Sequence, residues 1–358
     1  MRYNSEISIN GREISIDSPT YFIADIASNH DGDLAKAKEL IWLAKESGAD
    51  AVKFQHFIAE KIVSDYGFKH LGRQAGHQAA WKKSVFEVYK ECECNRNWTE
   101  ELYTVAKEAE IDFFTTPYDV EAVNELDKYV PAYKIGSGDI TWTQFVELVA
   151  KQNKPILLAT GASDMADVRR AVDSILIHNP QLVLMQCNTN YTGSIENLKY
   201  VNLNVLKSYA VMYPNMLLGL SDHTAGCSSV LGAIALGARV VEKHFTSDNN
   251  RVGPDHAFSM NPKTWREMVD RSRELEASLG DGYKKVEENE KETVVLQQRC
   301  IRLSKDIRAG EIIHAGDIEA LRPAPLGAYR PYQENEVVGR ELVRDMQAGE
   351  EIYPRDLR

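Results

Sequence analysis

Between residues 21 and 245 the chain alternates two textures. Short apolar or β-branched runs, YFIADIA (21–27), DAVKFQHF (50–57), IDFFTTPY (111–118), AYKIGSGD (132–139), PILLATGA (155–162), QLVLMQCN (181–188), LLGLSDH (217–223) and ARVVEKHF (238–245), are separated by stretches with helical periodicity. Near-continuous apolar strands belong to a parallel sheet covered on both faces. DLAKAKELIWLAKESGAD reads as a helix that Asp33 caps and Gly48 ends, and DVRRAVDSILIHNP and SSVLGAIALGA read the same way. Eight β–α alternations over about 250 residues predict a closed (β/α)8 TIM barrel. A doubly wound open sheet is the alternative, but no G-x-G-x-x-G follows the first strand.

The rhythm breaks twice. Residues 58–105 form a long connection between the second and third strands. A connection of that length in a compact domain is usually functional, and it is expected to be partly helical and to lie over the barrel mouth. After residue 279 the sequence GDGYKKVEENEKETVVLQQ is charged and lacks the barrel rhythm. It reads as a linker over 280–299, between a catalytic barrel with an N-terminal β-hairpin (1–279) and a β-rich module (300–358). That module repeats itself, KDIRAGEIIHAGDI (305–318) returning as RDMQAGEEIYPRDL (344–357). A pseudo-symmetric unit follows from the repeat, and at its size it is marginal alone and expected to dock on something.

Composition narrows the setting. The 358 residues carry a net charge of −11, which argues against nucleic acid or an anionic membrane as partner. The longest apolar runs fall short of the ~18 residues a membrane span needs. Five scattered cysteines and a polar N-terminus predict a cytoplasmic protein without a disulfide framework.

Polar residues collect at the carboxyl ends of the predicted strands: Asp25, Asn29 and His30; Lys53 and Gln55; Thr116 and Tyr118; Lys134, Ser137 and Asp139; Thr160; Asn188 and Thr189; Ser221 and His223; Glu242 and His244. Barrel chemistry sits at that end. One histidine at a strand tip reads as a hydrogen-bonded side chain. Two at equivalent positions of adjacent strands, His223 and His244, read as a pair of metal ligands, and a metal held by neutral imidazoles is a strong Lewis acid. Lys53 and Lys134 are costly inside apolar strands unless they are paired or face the mouth. They would either bind a phosphate or carboxylate, with Ser137, Ser221 and backbone N–H groups completing a cradle, or form salt bridges to Asp25 or Glu242. Those two carboxylates could equally serve as general acid and base. A metal, an anion cradle and acids in one barrel suggest attack of a phosphorylated enol on an aldehyde.

The stretches IADIASNHDGDL, VKFQ, TTPY, PAYKIGSGD, ATGAS, GLSDHT and EKHFT…RVGPDHAFSMNP together resemble the sialic acid synthase family, the phosphoenolpyruvate-dependent nonulosonic acid synthases. The terminal repeat resembles the antifreeze-like (SAF) domain that follows the barrel in those enzymes. The resemblance implies condensation of phosphoenolpyruvate with an acylamino-hexose aldehyde of N-acetylmannosamine type, giving a nine-carbon 3-deoxy-2-keto acid and phosphate. It implies that His223 and His244 hold Mn2+ or Mg2+, with Glu242 beside the metal. Lys53, Thr116, Lys134, Ser137 and Ser221 match phosphoenolpyruvate contacts, and Thr189 takes the place of an asparagine near that ligand. Gln55, Tyr118, Tyr191 and Asp255 match groups around the sugar. Arg322 matches an arginine that reaches the partner subunit's site in a domain-swapped homodimer. Asp25 and Asp139 stand where the family has glutamates, and Arg322-Pro323-Ala324 replaces its R-P-G turn, so a different aldehyde, such as a diacetamido-trideoxyhexose or a hexose without N-acyl, stays open. A non-catalytic carbohydrate binder and an aldolase with a Schiff-base lysine at Lys134 are the competing classes.

Overall fold

Strands β3 (Tyr21–Asp25), β4 (Ala51–His56), β5 (Asp112–Pro117), β6 (Tyr133–Ile135), β7 (Ile156–Ala159), β8 (Leu182–Cys187), β9 (Leu217–Asp222) and β10 (Ala238–His244) form one parallel sheet. Its order is β5-β4-β3-β10-β9-β8-β7-β6. β5 and β6, at the two ends of that order, lie side by side and all but close the barrel. Ahead of it, β1 (Glu6–Ile9) and β2 (Arg12–Ser15) make an antiparallel hairpin. The computed structural model describes residues 2–72, 78, 81–191 and 193–358, so residues 73–77, 79 and 80 of the long connection, and Thr192, lie outside the described residues.

All eight expected strands are present, and each expected run overreached at its carboxyl end. AYKIGSGD supplies only Tyr133–Ile135; Ser137–Asp139 turns instead into a short 3-10 segment. Gly136 weakens the strand there, and the chain bends so that Ser137 can accept the Gly161 N–H at 2.9 Å.

Inward-facing positions recur every second residue, and along each strand they change from apolar to ionisable. Ile23 precedes Asp25; Ala51 precedes Lys53 and Gln55; Phe114 precedes Thr116; Ala132 precedes Lys134; Leu217 leads through Gly219 and Ser221 to His223; Val240 precedes Glu242 and His244. The apolar members pack with Ile7, Ile9 and Ile14 of the hairpin into one cluster, so the hairpin plugs the amino end of the barrel. A larger cluster lies between strands and helices, and Leu34–Glu46 is representative. Asp33 accepts from Ala35 and Lys36, and Ala37, Leu40, Ile41 and Ala44 face the barrel.

The long connection is partly helical, with short helices Ala59–Ile62, Asp65–His70 and Val85–Cys92 before the barrel helix Thr99–Glu108. All five cysteines are free. Among the described residues no helix is long and apolar enough to cross a membrane.

The chain divides into two compact units, Met1–Gly280 and Asp281–Arg358. In the second, β11 (Cys300–Leu303) pairs with β12 (Ile318–Leu321). The sequence repeat is also a structural one: Ile307 bridges Met346, Asp345 accepts from Ala309 N, and Asp306 accepts from Ala348 N, both at 2.8 Å. Ile301, Leu303, Ile307, Ile313, Leu342, Met346 and Ile352 form its core.

Candidate active site

The carboxyl end of the barrel holds a cavity of about 420 Å3. Its inner wall is polar, with Ser28, Gln55, Tyr118, Ser137, Asp139, Tyr191, His244 and Asp255. Its outer wall is built by Phe57, just after β4, and by the long connection, and is largely apolar, with Ile62, Trp81, Val88 and Tyr89. Phe57 packs against both Tyr89 and Tyr118, with ring centroids 5.4 and 5.9 Å apart.

Three side-chain groups meet here. In the first, Lys53 lies 2.9 Å from Asp25 Oδ2 and donates to Thr116 at 3.1 Å, while Gln55 donates to the same Asp25 oxygen at 3.0 Å. Burial pushes the Asp25 carboxyl up, but Lys53, His244 and Gln55 together outweigh it and hold it below the usual carboxylate range. Burial likewise lowers Lys53, and Asp25 and Glu242 more than restore it, so the ammonium is firmly charged. In the second group Lys134 sits 3.3 Å from Glu242 Oε1, which also accepts from Ser221 at 3.2 Å. Both salt bridges that the sequence left as an alternative to anion binding are therefore present. Each uses part of its ammonium's three donors.

The third group is aromatic. The rings of His223 and His244 lie 5.3 Å apart at 52°, with Tyr191 4.3 Å from the first and Phe258 5.0 Å from the second. His223 Nδ1 is 2.9 Å from the Asn188 carbonyl oxygen, so that nitrogen carries the proton and Nε2 keeps a lone pair. His244 lies between carboxylates, 3.8 Å from Asp25 and 3.9 Å from Asp255. Asp255 is in turn tied to the Ser28 backbone and hydroxyl. Glu242 Oε2, Asp139 Oδ2 and His244 Nδ1 are buried without a hydrogen-bond partner. Buried polar atoms rarely stay unsatisfied without a ligand or water to meet them.

Among the described residues no set of three or more His, Cys, Asp or Glu side chains converges on one point. The protein thus offers two imidazoles, one oriented by a backbone carbonyl, and leaves other positions open. That donor set fits a catalytic rather than a structural divalent ion.

Most expected site residues gather here. Thr189 contributes by packing, since a Cβ on Gly161 would lie 2.8 Å from its methyl group and 2.9 Å from Ser137 Oγ, so glycine is required for that approach. Thr160 is structural, bonded to the Met185 carbonyl and the Tyr209 hydroxyl. Asn29 and His30 are also structural. The first binds Phe245 O and Ser259, and the second accepts from Gly32 N. Arg322 lies exposed in the second unit. Sequence reasoning missed Ser28 and the aromatic wall. Ser28 follows the first strand inside IASNHD, which was a usable signal, whereas the wall comes from a segment with no barrel period.

A family model described as NeuB family matches residues 40–284, and one described as SAF domain matches residues 298–358. The chain belongs to the NeuB family. This NeuB-family chain is 35% identical to the N,N'-diacetyllegionaminic acid synthase of Legionella pneumophila, over 96% of its own length and 97% of the relative's. It is 33% identical to the human N-acetylneuraminate-9-phosphate synthase, over 77% of its own length and 76% of the relative's. In fold it is similar to the N-acetylneuraminic acid (sialic acid) synthetase of Leptospira borgpetersenii, with a TM-score of 0.71 and 26% identity, over 82% of this chain and 96% of that one. It is an enzyme, a synthase of the sialic acid type, built as a barrel with a carboxyl-terminal SAF domain.

Proposed function

We propose that this protein condenses phosphoenolpyruvate with an N-acylamino-hexose aldehyde and water, forming a nine-carbon 3-deoxy-2-keto acid and phosphate. One observation carries the reading: two buried ammonium groups, two facing imidazoles and an unpartnered carboxylate oxygen meet at one end of one barrel. Lys53 and Lys134, with Ser137, Ser221 and Thr116, hold the phosphate and carboxylate of the enol phosphate. Gln55, Tyr118, Tyr191 and Asp255 orient the open-chain aldehyde above them. The enol C3 attacks the aldehyde carbon, whose oxygen takes up a proton. Water adds at C2 and gives up a proton, and the C2–O bond to phosphate breaks to leave the ketone. Asp25, engaged by Lys53 and Gln55, stays ionised and orients its neighbours. Glu242 Oε2 is the unbonded oxygen able to accept the water proton. His223 and His244 would hold Mn2+ or Mg2+, which when bound supplies Lewis-acid polarisation of the aldehyde oxygen.

The outer wall bears on the acceptor. Among its described residues the outer wall carries no lysine or arginine, and Phe57, Ile62, Val88 and Tyr89 suit acyl or deoxy-methyl groups better than a phosphate. This favours a diacetamido-trideoxyhexose over N-acetylmannosamine, and a 6-phosphate least. A domain-swapped homodimer, with Arg322 reaching the partner's cavity, belongs to the same proposal, and light scattering giving an active monomer would remove it.

The deciding experiment is phosphate release from phosphoenolpyruvate with a panel of aldoses, with Mn2+ and after chelation. Turnover with an acylamino aldose, lost on chelation and in a folded His244→Ala variant, is expected. No release with any aldose overturns the assignment. Borohydride trapping on Lys134 with indifference to chelators would support the Schiff-base class instead.

A further inference from the structure

Asp222 and Lys243 are the residues immediately before His223 and His244, and neither lines the cavity. Side chains alternate along a strand, so both point to the helix side while the residues beside them point inward. The ladder places them directly opposite, Lys243 against Asp222, next to Glu242 against Ser221. They form an ion pair of 2.6 Å, with side chains 2% and 1% exposed.

The pair does more than neutralise itself. Lys243 Nζ also donates to the Thr224 carbonyl at 2.6 Å. Asp222 accepts from Thr224 N at 3.0 Å, from the Thr224 hydroxyl at 3.1 Å, and from the Ser229 hydroxyl at 2.5 Å, at the start of the helix Ser228–Ala235. Both the N–H and the C=O of Thr224 are therefore fixed, one by each member of the pair. His223 is held as the middle residue of a closed tripeptide, and its clamp is the side chain that precedes His244.

The Coulombic attraction of the pair by itself is a weak account of such an arrangement. Exchanging a buried ion pair for apolar side chains of similar volume is often neutral or stabilising. What apolar packing lacks is direction, since it fixes volume while hydrogen bonds fix angles. We infer that the Asp222–Lys243 ion pair is a positioning brace that sets the separation and tilt of the His223 and His244 rings. This rests on the reading of those rings as a metal pair. Asp222 and Lys243 are positioning residues acting through their neighbours, with Thr224 and Ser229 as anchors.

The test is Mn2+ titration of the metal-free protein, followed by the loss of the free-ion electron paramagnetic resonance signal, beside thermal unfolding. The double variant Asp222→Leu with Lys243→Met removes both charges together. It strands the buried Thr224 N–H and C=O, so it is expected to unfold below the temperature of the wild type, and in its folded form to bind Mn2+ about 10- to 100-fold more weakly, the range for lost outer-shell support. A folded double variant with unchanged affinity overturns the inference and leaves the metal reading standing. Wild-type protein that binds no Mn2+ overturns both. Should the double variant not fold, Ser229→Ala decides. It removes one donor from outside the ligand-bearing segment, and a several-fold weaker Mn2+ affinity is expected, while no change overturns the brace.

Discussion

Burial raises the Asp139 carboxyl to about 6, with Lys134 partly holding it down. Across neutral pH this wall residue therefore switches between a carboxylic acid that donates and a carboxylate that only accepts. The KM for the aldose is expected to change between pH 5 and 7 and to flatten in Asp139→Asn, while the KM for phosphoenolpyruvate does not. The stability sign follows from the same shift. A carboxyl raised in the folded state carries a penalty above about 6, relieved as pH falls toward its unfolded value near 3.8. Asp139→Asn should therefore be more stable than wild type at pH 8 by up to about 3 kcal/mol, with the difference gone by pH 4, as read by chemical denaturation. The chemistry of single residues was largely legible in the sequence, because an ionisable group inside an apolar strand must have a partner or a purpose. Which lysine takes which carboxylate was not: Lys53 pairs with Asp25 directly opposite it on the neighbouring strand, whereas Lys134 of β6 reaches Glu242 of β10 across the barrel.

At the scale of the strand, β9 is narrowed at Gly219. A Cβ there would lie 2.7 Å from the Val240 carbonyl oxygen and 2.9 Å from Met185 Cγ, and the backbone atom cannot yield cheaply. Gly219→Ala is expected to cost about 1–3 kcal/mol, the range for overpacking a close contact, and to weaken Mn2+ binding because His223 directly follows the same strand. Full stability by thermal unfolding would show that β9 and β10 can part without loss. The strands were readable because apolar runs of five or six residues between helical stretches leave few other assignments. Their ends were not, since GSGD and similar stretches stop pairing where the side chains turn to the cavity. The brace had a sequence signal too: Asp222 and Lys243 each stand one residue before a tip histidine, an offset that makes sense only once the two strands are laid side by side.

For the molecule as a whole, acid is the expected weakness. His56 is wholly enclosed between Thr99 and Thr115, and burial, with Arg96 and His30 adding to it, pushes it down to about 3. Burial also takes His30 to about 4, against the opposing pull of Asp31 and Asp255. A histidine depressed in the folded state leaves stability intact above its unfolded value near 6.5 and erodes it as pH falls toward the folded value. Each should contribute a slope of about 1.4 kcal/mol per pH unit, down to about 4 for His30 and about 3 for His56. His56→Gln is expected to be less stable at pH 7 but to lose one of the two slopes, measured by urea midpoints between pH 6.5 and 4.5. An unchanged slope would mean that the ring is charged in the folded state. The division into barrel and repeat module was plain from the change of texture near residue 280, where the helical and strand rhythm gives way to charge.

The β1–β2 hairpin gives the chamber a floor. A room with a floor has one door, so its occupants must queue. Lys53 precedes Gln55 by two residues on one strand, a step of about 7 Å, so under the proposed function the phosphate end would lodge below the sugar. Whatever goes in first comes out last. Inorganic phosphate should therefore inhibit in competition with phosphoenolpyruvate and without competing with the aldose, and the reverse pattern in steady-state kinetics would mean a second exit.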